Sequence, residues 1–180
     1  MTPPEPRSIF LIGPMGSGKT AVGKALAKLC EFEFLDSDHE IERRTGVDIP
    51  MIFDKEGEAG FRARERDVIA ELTQRPRIVL STGGGAILAP ESRALLRERG
   101  FVVYLQTSVQ QQALRVREGQ HRPMLHGADD VSKRLAALMA VRAPFYEQTA
   151  HMVVSTDRRH VRSVAEQIMQ IGRASCRERV

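Results

Sequence analysis

The chain has 180 residues and a formal net charge of +4 at pH 7, with 28% charged residues of both signs. This length suits one α/β domain with its own core and is short for two. No apolar run approaches the ~18 residues of a membrane span, and no basic run with interleaved aromatic residues points to nucleic acid. We therefore expect anionic small-molecule ligands, with neither a membrane nor a nucleic-acid partner.

The location of the protein is indicated by its N-terminus and its cysteines. Residues 1–7 lack the apolar core of a signal peptide. Cys30 and Cys176 have neither metal-binding nor redox spacing, which fits a reducing compartment. We expect a cytoplasmic protein that acts as a monomer.

Short apolar runs alternate with longer amphipathic segments, which predicts βαβ units around a parallel sheet. The expected strands are Ser8–Ile12, Glu33–Leu35, Arg77–Ser81, Phe101–Leu105 and His151–Ser155. The expected helices are Lys19–Cys30, Glu40–Arg44, Ile49–Lys55, Gly57–Thr73, Pro90–Arg99, Val109–Arg117, Val131–Tyr146 and His160–Gln170. The polar stretch Glu118–Asp130 has no apolar period, and such loops are commonly functional lids. We expect a single domain over residues 1–170 with a lid at about residues 118–130.

The first strand leads directly into a phosphate-loop pattern. Gly13–Thr20 reads Gly-Pro-Met-Gly-Ser-Gly-Lys-Thr, the full G-x-x-x-x-G-K-[ST] motif between a predicted strand and a predicted helix. Backbone N–H groups of such a loop surround the β-phosphate of a nucleotide. Lys19 would reach the β- and γ-phosphates, and the Thr20 hydroxyl would ligate Mg²⁺. Tight packing is the alternative explanation, but the filled motif favours binding of a nucleoside triphosphate.

Two carboxylates follow the second predicted strand, in the run Asp36-Ser37-Asp38. Ligands of parallel α/β sheets gather at the carboxyl ends of the strands, so both carboxylates should face the phosphate loop. One would support Mg²⁺ and the other would meet a substrate hydroxyl. Capping of the next helix by Ser37 or Asp38 is the alternative.

Three consecutive glycines, Gly83-Gly84-Gly85, end the third predicted strand. Such a run costs backbone entropy unless a close approach requires it. At this edge of the sheet, its N–H groups would contact a small polar ligand without obstruction by side chains. A plain tight turn would need fewer glycines.

Arginines supply the remaining signal. Arg62 with Glu65 is typical of a guanidinium held by a carboxylate and free to bind a substrate carboxylate, although an exposed ion pair has the same spacing. Arg122 lies in the predicted lid, where a cation would close over the γ-phosphate. Arg142 precedes Pro144, which would kink or end its helix and aim nearby side chains inward.

Together these motifs resemble the shikimate kinase family in order and spacing. The motifs that carry the resemblance are Gly13–Thr20, Asp36-Ser37-Asp38, Phe61-Arg62-x-x-Glu65, Ser81-x-Gly83-Gly84-Gly85, Arg122-Pro123-Met124-Leu125 and Arg142-x-x-x-Tyr146. The resemblance covers roughly residues 8–170. It implies a three-layer αβα phosphate-loop kinase fold similar to nucleoside monophosphate kinases, with a five-stranded parallel sheet of order 2-3-1-4-5. It also implies Mg²⁺-dependent transfer of the ATP γ-phosphate to the 3-hydroxyl of shikimate, in aromatic amino-acid biosynthesis.

The resemblance implies roles on the nucleotide side of the site. The residues implied to bind ATP are Gly16, Ser17, Gly18, Lys19, Thr20, Ala21, Arg122 and Arg159. Thr20 would ligate Mg²⁺ with support from Asp36, and Arg159 would lie on the purine side. Adenine would pack on Arg115 or Arg117, and the arginine spacing does not decide between them.

Roles on the acceptor side follow in the same way. Asp38 would accept hydrogen bonds from shikimate hydroxyls and help to deprotonate the attacking one. Arg62 and Arg142 would clamp the carboxylate of shikimate, and Gly83, Gly84 and Gly85 would lie at its ring. The implied catalytic residues are Lys19, Asp38 and Arg122.

Other classes of protein remain as alternatives. A gluconate kinase would share Gly13–Thr20 but has no reason to combine Arg62, Arg142 and the triple glycine, and a nucleoside monophosphate kinase is disfavoured likewise. A catalytically silent ATP-binding protein would be expected to lack Asp38 or Arg122. A switch GTPase would carry Asn-Lys-x-Asp, and this chain contains no asparagine.

The last ten residues, Ile171–Val180, match one reading frame of a common sequencing-library adapter. A genuine basic tail is the alternative. We expect a non-native, adapter-derived segment and exclude it from reasoning about the fold.

Overall fold

A computed structural model describes residues 7–117 and 131–177. Five strands form one parallel sheet of order β2-β3-β1-β4-β5. The strands are β1 Ile9–Ile12, β2 Glu33–Asp36, β3 Ile78–Ser81, β4 Phe101–Gln106 and β5 Met152–Ser155. The predicted sheet order is therefore confirmed.

Seven α-helices occur in the described ranges, and they cover both faces of the sheet. They are α1 Lys19–Cys30, α2 Ser37–Thr45, α3 Ile49–Leu72, α4 Pro90–Arg99, α5 Val109–Arg117, α6 Val131–Thr149 and α7 Val161–Arg177. None of these helices is long and apolar enough to cross a membrane. The described ranges thus form the expected three layers.

The core is divided by the sheet into two apolar clusters. Side chains alternate along β1, so Phe10 and Ile12 join one cluster while Ile9 and Leu11 join the other. Helices α1 and α7 cover one cluster, and α2, α3, α4 and α6 cover the other. Because both faces of β1 and β3 are buried, their sequences are continuous apolar runs.

Helix α2 begins at Ser37 rather than at the predicted Glu40. The cause is the side chain of Asp36, whose Oδ1 atom accepts hydrogen bonds from the backbone N–H groups of Asp38 (3.0 Å) and His39 (3.3 Å). The capping residue is therefore Asp36, and not Ser37 or Asp38 as the alternative interpretation held.

The predicted helices Ile49–Lys55 and Gly57–Thr73 are the two segments of α3. They meet at Gly57, whose φ of 70° and ψ of −178° are not helical. That combination is essentially restricted to glycine. In the second segment, Phe61, Val68, Ile69 and Leu72 are all buried and face the core.

Two helices run further than predicted. Pro144 does not end α6, which continues to Thr149. Helix α7 continues to Arg177 instead of ending at Gln170. A continuing helix does not identify the origin of residues 171–180, and the adapter-derived tail stays a prediction.

Candidate active site

The carboxyl ends of β1, β2 and β3 open into a cavity of about 780 Å³. Residues from separate predicted motifs meet there, although Gly16 and Arg142 are 126 positions apart in the sequence. The predicted site residues that line the cavity are Gly16, Gly18, Lys19, Thr20, Ala21, Asp36, Asp38, Arg62, Gly83, Gly84, Gly85 and Arg142. The topology thus assembles the phosphate loop and the predicted acceptor residues around one space.

The phosphate loop lies between β1 and α1 and is shaped by its glycines. Gly16 and Gly18 have φ angles of 77° and 85°, in the left-handed region that favours glycine. The Lys19 ammonium folds back over the loop and donates to the carbonyl oxygens of Gly13 (2.7 Å) and Pro14 (2.8 Å). Ser17 is fully buried, and its hydroxyl accepts a 3.4 Å hydrogen bond from the Lys19 ammonium. The loop therefore holds a cation at the N-terminus of helix α1.

Thr20 and Asp36 meet beside this cation. The Thr20 hydroxyl donates a 3.1 Å hydrogen bond to Oδ2 of Asp36, whose other oxygen caps α2. A hydroxyl and a carboxylate are oxygen ligands of the kind that Mg²⁺ prefers, and this ion usually keeps water and phosphate oxygens as further ligands. Within residues 7–117 and 131–177, no group of three or more His, Cys, Asp or Glu could hold a metal ion unaided. The pair fits a magnesium ion that arrives with a nucleotide.

Asp38 is a carboxylate with an unpaired oxygen atom among the described residues. Its Oδ1 atom is buried and accepts no hydrogen bond from the described residues. Burial, and then the nearby Glu65 and Asp36 carboxylates, raise the pKa of Asp38 to about 7 against the opposing effect of Lys19 and Arg62. A carboxylate with a pKa near the working pH can accept a proton in a reaction. The site thus contains a candidate general base.

Arg62 is held in the cavity by a buried carboxylate. Its Nη1 atom donates a 2.7 Å hydrogen bond to Oε2 of Glu65, and the Glu65 side chain is only 3% exposed. Burial raises the pKa of Glu65, and Arg62 opposes this rise. The alternative of an exposed surface ion pair is therefore wrong. The Nε atom of Arg62 has no partner among the described residues, so the guanidinium keeps hydrogen-bonding capacity.

Gly83 and Gly85 make room for the charged side chains that pack on them. A Cβ atom on Gly83 would lie 2.5 Å from Oε1 of Glu65 and 2.8 Å from Oδ1 of Asp38. A Cβ atom on Gly85 would lie 2.6 Å from Cζ of Arg62. Side chains at these positions would thus displace the charged groups of the site.

Arg142, the second arginine predicted to bind the acceptor, also lines the cavity. It is 4% exposed, and its Nη1 atom lies 3.5 Å from the position of a Cβ atom on Gly84. The Tyr146 hydroxyl, one helical turn further along α6, donates a 2.5 Å hydrogen bond to the Gly84 carbonyl oxygen. Burial raises the pKa of Tyr146 above its ordinary value, which keeps this donor protonated. The glycine loop is therefore anchored to the helix that carries Arg142.

Two anchors of the glycine loop, Ser37 and Tyr146, were not predicted to contact it. Ser37 accepts a 3.1 Å hydrogen bond from the N–H group of Gly83, and Tyr146 binds the Gly84 carbonyl. Both residues lie inside quoted motifs, Asp36-Ser37-Asp38 and Arg142-x-x-x-Tyr146. The i, i+4 spacing of Arg142 and Tyr146 could have placed them on one helix face.

The arginines predicted for the adenine side have different positions. Arg115 lines the cavity and donates to the carbonyl oxygens of Gly16 (2.7 Å) and Thr156 (3.3 Å). Arg159 does not line it, and its guanidinium donates to Oε1 of Gln167 (2.5 Å) and Oγ of Ser163 (3.2 Å). The purine-side role of Arg159 stays a prediction.

Two further predictions cannot be placed. Arg122 and the expected lid at residues 118–130 lie outside the described residues, as does the side chain of Arg117.

The raised pKa of Asp38 predicts a pH-dependent stability. The ordinary pKa of Asp38 is 3.8, and its pKa in the folded chain is about 7. At a pH between these two values, folded Asp38 retains a proton that the unfolded chain releases. Its contribution to the free energy of unfolding is therefore greatest below pH 4 and decreases by up to about 4 kcal/mol as the pH rises to 7. Urea unfolding of the wild type and Asp38→Asn at pH 4.5 and 7.5 measures this. Asp38→Asn should gain stability relative to the wild type at the higher pH, and parallel pH profiles would contradict the assignment.

The chain is similar to known shikimate kinases in sequence and in structure. The sequence model of the shikimate kinase family matches residues 15–172. The shikimate kinase of Hahella chejuensis is 51% identical over 174 residues, which are 97% of this chain and 90% of that protein. The solved structure of the shikimate kinase of Acinetobacter baumannii, in complex with shikimate, is 47% identical with a TM-score of 0.91 over 94% of each chain.

A more distant structure shares the fold alone. A gluconokinase from Sinorhizobium meliloti has a TM-score of 0.58 and 19% identity, over 96% of this chain and 95% of that one. The family match and the high identity over nearly the whole chain lead to one conclusion. The chain belongs to the shikimate kinase family.

Proposed function

We propose that this chain transfers the γ-phosphoryl group of ATP to the 3-hydroxyl of shikimate, giving shikimate 3-phosphate and ADP. The observation that carries the proposal is the position of Arg62 and Arg142 beside the triple glycine, in the same cavity as the phosphate loop. Two guanidinium groups provide a site for a carboxylate acceptor next to a nucleotide site. The related protein from Acinetobacter baumannii, whose structure was solved in complex with shikimate, supports this acceptor.

The nucleotide side of the proposed reaction depends on the phosphate loop. The N–H groups of Gly16–Ala21 would bind the phosphates, and Lys19 would leave its carbonyl partners to meet the β- and γ-phosphates. Thr20 and Asp36 would hold Mg²⁺, which when bound supplies positive charge to the phosphate oxygens. Arg122 in the predicted lid would add a further cation, and Arg159 would serve the purine side.

The acceptor side positions the attacking hydroxyl. Arg62 and Arg142 would bind the shikimate carboxylate, and Gly83–Gly85 would allow the ring to approach the backbone. Asp38 would accept the proton of the 3-hydroxyl group. At the same time the oxygen of that hydroxyl would form the new bond to the γ-phosphorus, and the bond between this phosphorus and ADP would break. Because the transition state of phosphoryl transfer is loose, positioning and charge neutralisation provide most of the catalysis.

The function is tested by ADP release from MgATP with shikimate, with gluconate or AMP as parallel acceptors, and with no acceptor. Turnover that depends on shikimate alone is expected. Turnover with gluconate or AMP instead would replace the proposed acceptor. ATP binding without turnover on any acceptor would support a catalytically silent protein.

The substrates of this proposal are ATP and shikimate. We further propose that the protein works as a cytoplasmic monomer without a nucleic-acid or membrane partner. Size-exclusion chromatography with light scattering at assay concentrations would measure the oligomeric state.

Replacement of Arg62 by alanine should weaken shikimate binding selectively. Loss of its charge-assisted hydrogen bonds is expected to raise the dissociation constant for shikimate by about 30- to 100-fold, while the constant for ATP should change less than about twofold. Isothermal titration calorimetry with each ligand measures both constants. Arg66→Ala, an exposed arginine on the same helix, is the control. Weakened ATP binding with normal shikimate binding would contradict the role of Arg62.

A further inference from the structure

An ion pair crosses the break in helix α3. Glu56 ends the first helical segment and Arg64 lies in the second, with Gly57 between them. The Arg64 guanidinium binds both carboxylate oxygens of Glu56, through Nε at 2.8 Å and Nη2 at 2.7 Å. Neither residue lines the cavity. This pair is therefore outside the site described above.

The contact depends on the change of direction at Gly57. Residues eight positions apart on a straight α-helix are separated by ~12 Å along the axis, whereas ion pairs on one helix normally join positions three or four apart. Gly57 adopts φ 70° and ψ −178°, which breaks the helix and brings the two side chains together. The two-pronged contact is thus compatible with the bent form of α3 and not with a continuous helix.

Gly60 makes space for this arrangement. A Cβ atom at position 60 would collide with Cβ of Glu56 and would lie 3.1 Å from its Oε2 atom. Gly60 lies inside a helix, where alanine is ordinarily more favourable than glycine. Glycine at position 60 therefore accommodates the Glu56 side chain that reaches Arg64.

The bend also sets one wall of the cavity. Ile49, Pro50 and Phe53 of the first segment line the cavity, as do Phe61 and Arg62 of the second. The rings of Phe53 and Phe61 are in contact, with centroids 4.8 Å apart. The position of the first segment relative to the second thus determines the shape of the cavity beside Arg62.

The first segment is held differently at its two ends. At its N-terminal end, Oδ1 of Asp48 accepts from the N–H group of Met51 (3.0 Å), and Oε1 of Glu42 accepts from that of Ile49 (3.1 Å). Its middle is anchored by Ile52, which is 2% exposed. Glu56 provides a two-pronged attachment at the C-terminal end.

We propose that Glu56 and Arg64 form a positioning pair that holds the first segment of α3 against the acceptor end of the cavity and so determines the affinity for the acceptor. The inference rests on the proposed function, because the acceptor is shikimate. The pair touches neither substrate. It acts through Phe53 and its neighbours, which form the wall beside Arg62.

The test measures kcat and the two KM values for Glu56→Gln, Arg64→Gln and the double variant. Exposed ion pairs contribute little, so each single variant should raise the KM for shikimate about two- to five-fold. The KM for ATP should stay within experimental error. The double variant should equal either single variant, because one interaction is lost in all three. Sodium chloride at 0.5 M should reduce the ratio between the KM for shikimate of each variant and that of the wild type, because screening weakens the same ion pair that the substitutions remove.

Two further variants separate positioning from general loss of stability. The charge-exchanged variant Glu56→Arg/Arg64→Glu should recover a KM for shikimate below that of Glu56→Gln. Gly60→Ala keeps both charges and should nevertheless raise this KM, because its methyl group displaces Glu56. Arg162→Gln breaks the exposed Arg162–Glu166 pair on α7 (2.8 Å) and should leave both KM values unchanged.

The outcomes distinguish this inference from the proposed function. A wild type that does not phosphorylate shikimate would overturn the proposed function. An active wild type whose KM for shikimate is unaffected by Glu56→Gln, Arg64→Gln and Gly60→Ala would overturn the positioning pair alone. Equal increases of both KM values, with a lower melting temperature and no recovery in the charge-exchanged variant, would also overturn it.

Discussion

Asp38→Asn should lower kcat by about 10³-fold or more while leaving the dissociation constant for ATP within about twofold of the wild type. The amide has nearly the shape of the carboxylate but cannot accept the proton of the attacking hydroxyl. The phosphates of ATP are assigned to the phosphate loop with Lys19 and Thr20, whereas Asp38 is assigned to the acceptor, so the nucleotide site should remain intact. Steady-state ADP release and calorimetry with ATP measure the two effects.

The pH dependence of the reaction provides a second readout for Asp38. Because its pKa is raised to about 7, half of the carboxylate is protonated near neutral pH. Wild-type kcat/KM should therefore fall about tenfold for each pH unit below 7, and the residual activity of Asp38→Asn should not show this dependence. Asp67→Asn, on the exposed face of α3, is the control. Near-normal turnover of Asp38→Asn would rule out the base.

Lys19→Ala should lower kcat by about 10²- to 10³-fold, because it removes the cation that stabilises charge on the transferred phosphoryl group. The Lys19 ammonium is supported by the carbonyl groups of Gly13 and Pro14 and lies beside the cavity. Nucleotide binding should weaken as well, in contrast to Asp38→Asn, because the same cation meets the β-phosphate of bound ATP. Single-turnover assays at saturating ATP separate the two effects.

The control for Lys19→Ala is Lys28→Ala. Lys28 lies on the same helix and is exposed in its last turn. It should retain wild-type kcat and ATP affinity. A Lys19→Ala enzyme with wild-type kcat at saturating ATP would contradict a role in the transition state. A melting temperature close to that of the wild type would establish that the variant is folded.

Much of the fold follows from local patterns in the sequence. β1 and β3 are buried on both faces, so they read as continuous apolar runs. The break at Gly57 was also predictable, because glycine divides two helical patterns there. The start of α2 was not, because it depends on which of three consecutive polar side chains turns back to cap the helix. Asp36 does so while it also accepts a hydrogen bond from Thr20.

The surroundings of the arginines could not be predicted from spacing. Arg62 and Glu65 could form the same i, i+3 pair on a solvent-exposed helix, and the burial of Glu65 follows only from tertiary packing, in which Gly83 and Gly85 lie against the pair. The resemblance assigned Arg159 to the purine side of the nucleotide and offered Arg115 as one of two candidates for packing on adenine. In the folded chain, Arg115 reaches the phosphate loop while Arg159 bonds to α7 residues. Long side chains can reach several partners, and the sequence does not select among them.

The sequence by itself determined the phosphate loop, the alternation of strands and helices, and the set of residues proposed to carry the chemistry. These features are contiguous or periodic, so backbone geometry and side-chain spacing express them directly. The tertiary structure decided the raised pKa of Asp38, the burial of Glu65 and the bend that brings Glu56 to Arg64. Each of these depends on how much water and which charges surround a group, and those neighbours come from different elements of the folded chain.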